Sequence, residues 1–252
     1  MTKAEIQLIR SLADKRSRQE QGLFVAEGEK LIGELRHSNL RLRKIFSLEG
    51  VFSGEGVEVI SPKEMKRISL LKTANNSLAL VEIPRYTLDP KRLADKLVLA
   101  LDEVQNPGNL GTIIRLADWF GIEEIVCSEG SADCFNPKVV QATMGAILRV
   151  RVHYTPDLTR FLGEMAQLGA PVYGTFLAGE NLYQTTLSQR GVIVMGNEGR
   201  GVSAAVEGCV TQRLFIPPYP ADCPTSESLN VAMATGSVCA EFRRQATVKS
   251  RS

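Results

Sequence analysis

Apolar residues recur at helical spacing directly after Thr2: Ile6, Ile9 and Leu12 share a face, and Thr2 can cap the turn. A helix is therefore expected over about residues 2–17. GLFVAEGEKLIGELRHS then reads as a short apolar strand, an acidic turn at Glu27-Gly28 and a helix presenting Leu31, Ile32 and Leu35. RLRKIFSLEG and GVEVISP read as strands. Ser61-Pro62 opens a short helix, since proline is at home in a first turn, and SLALVEIP is a buried strand ending at Pro84. From Lys96 the rhythm is more regular. LVLALDEV, IEEIVCSE, LRVRVHY, PVYGTF, GVIVMG and RLFIPP have the length and composition of strands. Between them lie the helical stretches GTIIRLADWFG, NPKVVQATMGAI and DLTRFLGEMAQLG, the first stopped by Gly121, the second opened by Asn136-Pro137 and the third capped by Asp157. SESLNVAMATGSVCAEFRRQ closes the chain as a helix apolar or small nearly all round, hence buried, with Ser226 as its expected N-cap.

Strands alternating with helices imply a mostly parallel sheet covered on both faces. PRYTLDPKRLAD (84–95) is polar and carries two prolines, the composition of a boundary. The chain is thus read as a small α/β domain over 1–88 and a larger α/β domain over 89–252.

Composition removes several classes. The chain has 252 residues, 44% of them hydrophobic, enough for a core without disulfide staples. No apolar run approaches the roughly 18–20 residues of a membrane span. The opening MTKAEIQLIR is charged where a signal peptide would be apolar, so a cytoplasmic protein is expected. The net charge of +2 is uninformative, but residues 1–44 hold ten Lys and Arg against six Asp and Glu. That bias suits an RNA-facing module and equally a solvated surface. Cys127, Cys134, Cys209, Cys223 and Cys239 are odd in number and contain no C-x-x-C pair. They argue against a disulfide framework and a zinc site, so no metal is expected and the thiols are read as reduced. His37 and His153 lie far apart and outside any motif, which makes a Ser-His-Asp site a poor reading.

Ligands of open parallel sheets bind beyond the carboxyl ends of the strands, and three loops there are unusual. In DEVQNPGNLGTIIRLADWFG, glycine permits close backbone approach, a helix N-terminus favours an anion, and Arg115 follows on the same helix. In VIVMGNEGRGVS the glycines follow a buried strand, but neither dinucleotide nor P-loop spacing is present. Glu198 at its centre would repel a phosphate and suits a cationic or hydroxyl-bearing ligand. In RLFIPPYPADCPTSESLNVAMATG a proline-rich turn leads to Ser228 and Asn230, polar residues inside an otherwise apolar helix that must find partners.

Together these loops resemble the three motifs of the SpoU (TrmH-like) family of RNA 2′-O-ribose methyltransferases, within the SPOUT superfamily. Asn109 followed by Arg115 is similar to the first motif, MGNEGRGVS to the second, and IPPYPADCPTSESLNVAMA to the third, with Ser228, Leu229 and Asn230 as its core. The resemblance covers about residues 96–245, and residues 5–83 look more loosely like the substrate-binding domain often fused in front. PPYPADCPTSE, with Cys223, is a departure that bears on local loop shape. The resemblance implies an α/β sheet whose C-terminal segment forms a trefoil knot, and a homodimer packed through the knot region. It implies S-adenosylmethionine held by main-chain groups, by position those of Gly196, Ile216 and Leu229, with Thr175 nearby. In the family the counterpart of Arg115 is implicated in activating the ribose hydroxyl. A guanidinium hardly ever loses its proton, so binding the adjacent phosphate and stabilising alkoxide charge is an equally good role. Asn109, Glu198, Ser228 and Asn230 would orient Arg115, the hydroxyl and the cofactor. The first domain would hold structured RNA, ribosomal RNA before transfer RNA, with Arg16, Arg18, Arg41, Arg43 and Lys44 as candidate contacts.

Two rival classes stand against this reading. A non-catalytic RNA-binding protein on the same fold would be favoured had Arg115, Glu198 or Asn230 been replaced, and all three are present. A nucleotide-dependent oxidoreductase needs a dinucleotide fingerprint after the first strand, and NPGNLG does not supply one.

Overall fold

The computed structural model describes residues 1–220 and 226–249. The chain gathers into two units, one of Met1–Arg85 with Asp133–Leu148, the other of Tyr86–Ala132 with Arg149–Ser252.

In the first unit, α1 (Lys3–Ser11) begins at a capping box: the Glu5 N–H donates to the Thr2 hydroxyl at 3.2 Å, and the Thr2 N–H donates to the Glu5 carboxylate at 2.8 Å. The helix stops sooner than its apolar spacing suggests. Asp14 accepts from the Ser17 N–H at 3.1 Å and starts a separate helix, α2 (Lys15–Gln21), which ends on left-handed Gly22. There follow β1 (Leu23–Glu27), α3 (Glu29–Leu35), β2 (Leu42–Ser47), β3 (Val57–Val59), α4 (Pro62–Ile68) and β4 (Ser77–Glu82). The sheet runs β1-β4-β2-β3, with β4 antiparallel to both neighbours and β2 parallel to β3. Side chains alternate between its faces. Val25, Phe46, Leu78 and Leu80 pack with Ile9 of α1, Leu12 at its C-cap, and Met65 and Ile68 of α4. Phe24, Ile45, Ala79 and Val81 pack with Leu31, Ile32 and Leu35 of α3. Each fully buried aliphatic side chain contributes about 1.5–3 kcal/mol.

The second unit begins with α5 (Pro90–Leu93), β5 (Leu97–Leu101), α6 (Pro107–Trp119) and β6 (Glu124–Ser128). The chain then supplies residues 133–148 to the first unit, with α7 (Pro137–Ala142) and a 3-10 turn at Ala146–Leu148. There Phe135 lies 4.8 Å from Phe24 between ring centroids, and Val140 joins the cluster around α3. The second unit resumes with β7 (Arg151–Thr155), α8 (Leu158–Gln167), β8 (Val172–Asn181), β9 (Gly191–Met195), α9 (Ala204–Glu207), β10 (Gln212–Phe215) and α10 (Val231–Lys249). Its six strands are all parallel, in the order β10-β8-β9-β5-β6-β7. As two-sided burial requires, β5 and β9 are apolar from end to end.

Two expectations are corrected here. Arg18 is not a surface residue. It is only 2% exposed, donates to the Leu12 and Ala13 carbonyls at 2.8 and 2.9 Å, and pairs with Asp133. It serves as an internal tie between α2 and the 133–148 segment, since a buried guanidinium must be paired and hydrogen-bonded. The last helix starts at Val231, not at Ser226, and its outer stripe is open to solvent at Met233, Ala240 and Arg244.

Candidate active site

The chain fills the sheet outward from β5 through β6 to β7, then returns to fill the other side with β9, β8 and β10. The loops after β5 and β9 therefore leave one sheet edge in opposite senses, the place where such sheets form a crevice. Asn106 caps α6, its Oδ1 accepting from the Gly108 and Asn109 N–H groups at 2.8 and 3.2 Å, with Pro107 in the first turn. In the loop after β9, Asn197 and Gly201 exchange two main-chain hydrogen bonds of 2.9 Å, and Asn197 Oδ1 accepts from Gly199 and Arg200. A Cβ on Gly196 would lie 2.2 Å from the Gly201 carbonyl carbon. Close packing of this loop against itself thus requires glycine there.

The two loops are bonded at several points. Asn197 Nδ2 donates to the Glu103 carbonyl at 2.8 Å, the Ser203 N–H donates to buried Asp102 at 2.7 Å, and Arg200 pairs with Glu103. Glu198 accepts from the Asn106 N–H at 3.0 Å, the Gln105 N–H at 3.3 Å and Asn109 Nδ2 at 3.0 Å. Burial pushes its carboxyl upward, but hydrogen bonds from Asn109 and the main chain outweigh that and hold it below the usual carboxylate range. Glu198 is therefore ionised at neutral pH and clamps the first loop.

The third loop joins through Asn230, whose Nδ2 donates to Asn109 Oδ1 at 3.1 Å. Its Oδ1 accepts from the Ala232 and Met233 N–H groups at 3.0 and 3.4 Å, so Asn230 is the N-cap of α10, replacing Ser226 in that role. A carboxylate can only accept, which forces the amide of Asn109 to turn its NH2 toward Glu198 and its oxygen toward Asn230. Asn230 must then donate with nitrogen and cap with oxygen. One charge fixes the direction of both amides.

The structure brings Asn109, Glu198 and Asn230 together and leaves Arg115 and Ser228 outside this network. Arg115 is exposed on α6, about 9 Å along the axis from Asn109 at 1.5 Å per residue, and has no ion pair or hydrogen bond among the described residues. Ser228 is exposed before α10. Asn106 and Asn197 were not singled out from sequence. Asn106-Pro107 carries a readable N-cap signal, whereas the reach of Asn197 to the neighbouring loop has no local signature.

Of the residues expected to hold a cofactor, Thr175 lies within β8, Gly196 directly after β9 and Ile216 directly after β10, neighbouring strands of the sheet, and Leu229 just before α10. β8 pairs with β9 only from Val172 to Gly174. Its register against β10 then jumps, so Thr175 begins an excursion from the ladder. The Thr175 hydroxyl donates to the Val194 carbonyl at 3.3 Å. Gly196 is buried, and its main chain, like that of Ile216 and Leu229, finds no hydrogen-bond partner among the described residues. Of the three only Gly196 is buried, Ile216 being half-buried and Leu229 exposed; a buried main chain without a partner is unusual and fits a ligand held by backbone groups at Gly196. Cys223 and the rest of 221–225 lie outside the described residues.

The five basic residues expected to touch RNA are all engaged. Arg18 is buried, as described; Arg16 pairs with Glu20, Arg41 and Arg43 share Glu82, and Lys44 bridges Glu5 and Glu58. The described residues contain no cluster of His, Cys, Asp and Glu suited to a metal, and no helix of theirs is long and apolar enough to cross a membrane.

The family model of the SpoU rRNA Methylase family matches residues 96–240, and that of the MRM3-like substrate binding domain matches residues 3–79. The chain belongs to the SpoU rRNA methylase family. Among its relatives is the 23S rRNA (guanosine(2553)-2′-O)-methyltransferase RlmP of Bacillus subtilis, 31% identical over 89% of this chain and 90% of that protein. Among solved structures, a TrmH-family protein from Porphyromonas gingivalis superimposes with a TM-score of 0.87 at 38% identity, covering 97% of this chain and 99% of the other. The AdoMet-bound rRNA methyltransferase from Sinorhizobium meliloti gives 0.85 at 28% identity, covering 97% and 95%.

Proposed function

We propose that this protein methylates a ribose 2′-hydroxyl in structured ribosomal RNA, using S-adenosylmethionine. The observation that carries this reading is the Glu198–Asn109–Asn230 relay, which locks all three family motifs into one hydrogen-bonded unit on the helix that also carries Arg115, exposed and without an ion pair or hydrogen bond among the described residues. When bound, S-adenosylmethionine supplies an electrophilic methyl group on a sulfonium. The free main-chain groups of Gly196, Ile216 and Leu229, with Thr175 beside them, hold it. Arg115 binds the phosphate next to the target ribose and stabilises negative charge developing on the 2′-oxygen, because its guanidinium stays protonated. The relay keeps α6 and α10 fixed, so orientation is established before substrate arrives. Ser228 lies next to the relay in sequence and orients the hydroxyl or the cofactor.

The same reading includes a cytoplasmic homodimer packed through the knotted C-terminal region. Trp119 at the end of α6, 82% exposed, and Met233 at the start of α10, 65% exposed, are apolar surface that such a contact would cover.

The test is transfer of labelled methyl from S-adenosylmethionine to RNA from cells lacking this protein, followed by nucleoside mass analysis. A 2′-O-methylated nucleoside is the expected product. Labelled base, or no transfer together with no cofactor binding, overturns the reading.

A further inference from the structure

We propose that the outer face of α1 and α4 binds the phosphodiester backbone of the RNA, at Arg10, Lys63, Lys66 and Arg67. The identity of the polyanion rests on the ribose-methyltransferase reading; the surface itself rests on charge and pairing. Lys63, Lys66 and Arg67 sit at i, i+3 and i+4, so they share one exposed face of α4. The Arg10 guanidinium joins them from α1, donating to the Arg67 carbonyl at 2.9 Å. None of the four forms an ion pair among the described residues.

The neighbouring carboxylates are already occupied. Glu64, on the same helix, is turned back to its own N-cap, accepting from the Ser61 N–H at 2.9 Å and the Ser61 hydroxyl at 2.8 Å. Those bonds hold it below the usual carboxylate range. Glu5 on α1 and Glu58 on β3 are both taken by Lys44. Of the basic residues that sequence position favours, Arg16, Arg18 and Lys44 have carboxylate partners of their own and Arg41 and Arg43 share Glu82, whereas the four cations on α1 and α4 have none among the described residues. A cluster of cations without counter-charges attracts an extended polyanion by releasing its condensed counterions, with little demand on sequence.

The test measures binding of a labelled RNA hairpin to the full chain across a salt series. The triple variant Lys63→Ala/Lys66→Ala/Arg67→Ala should bind at least about tenfold more weakly near 0.1 M salt, and its log–log salt slope should be shallower by about 2–3. Lys63→Arg/Lys66→Arg/Arg67→Lys should restore both. S-adenosylmethionine affinity, measured in parallel, should be unchanged in both. Wild-type hairpin affinity and slope in the triple-alanine variant would sink the proposal. Binding of phosphatidylserine vesicles in preference to the hairpin would also overturn it. A weakened hairpin complex in a protein whose wild type transfers no methyl group would keep the RNA face and discard the reaction; the converse pattern discards the face alone.

Discussion

Asn230 uses the two ends of one amide for different purposes, its oxygen to cap α10 and its nitrogen to hold Asn109. The two uses can be separated. Asn230→Asp keeps an acceptor for the cap but loses the donor, so it should remain within about 1 kcal/mol of wild-type stability while turnover falls. Asn230→Ala should lose turnover and, in addition, about 1 kcal/mol from the missing cap. Denaturant unfolding and kcat, measured together, distinguish them; equal stability loss in both variants would contradict the division. Arg115→Ala should reduce kcat by about 10²–10³-fold with S-adenosylmethionine affinity retained, the magnitude typical of losing a group that meets developing charge. Equal loss of both in a folded variant would refute that role. At this scale the sequence was highly legible for residue identity and poor for partnership. Glu198 stands out as an acidic residue in a glycine loop, yet its use as an acceptor for three donors of another loop depends on strands far apart in the chain.

Among the elements, legibility followed locality. The capping signals at Thr2, Ser61, Asn136 and Asp157 mark helix starts where the structure has them, because a cap is decided by a few neighbouring residues. The long periodic stretch at the N-terminus was misleading, since Asp14 prefers the start of a new helix to the middle of an old one. Ser226 failed for the opposite reason: Asn230, anchored by Asn109, captures the first turn of α10. Arg18 was misassigned because a charged residue normally lies outside, and only the fold reveals two carbonyls and a carboxylate waiting for it. Arg18→Ala should therefore destabilise by about 3–5 kcal/mol, because it leaves Asp133 without its counter-charge. Urea unfolding checks this, and Arg18→Ala at wild-type stability would contradict the tie between α2 and 133–148.

For the whole molecule, the parallel sheet followed from βα alternation, but its strand order did not, because each apolar strand is equally suited to any interior place. One buried polar cluster contributes to acid stability. Glu124 is buried; burial raises its carboxyl, but His153 Nε2 at 2.8 Å and Arg151 outweigh this and bring it down to about 2. A carboxyl depressed on folding adds stability that is complete above its unfolded value and disappears as pH falls toward the folded one. The protein should lose about 3 kcal/mol of stability between about pH 5 and 2 through this group. Glu124→Gln should flatten that part of the profile, read as urea midpoints across the acid range; an unaltered slope would point to other carboxylates.

The excursion of residues 133–148 also limits how this protein can be rearranged. The ring partner of Phe24, the counter-charge of Arg18 and one apolar contact beside α3 all come from a stretch encoded between two strands of the other unit. Transplanting residues 1–88 into another chain, as one would move an ordinary cassette, would carry away a module with part of its interior left behind. A fusion or recombination at the linear boundary would therefore have to carry residues 133–148 along, or replace what they supply.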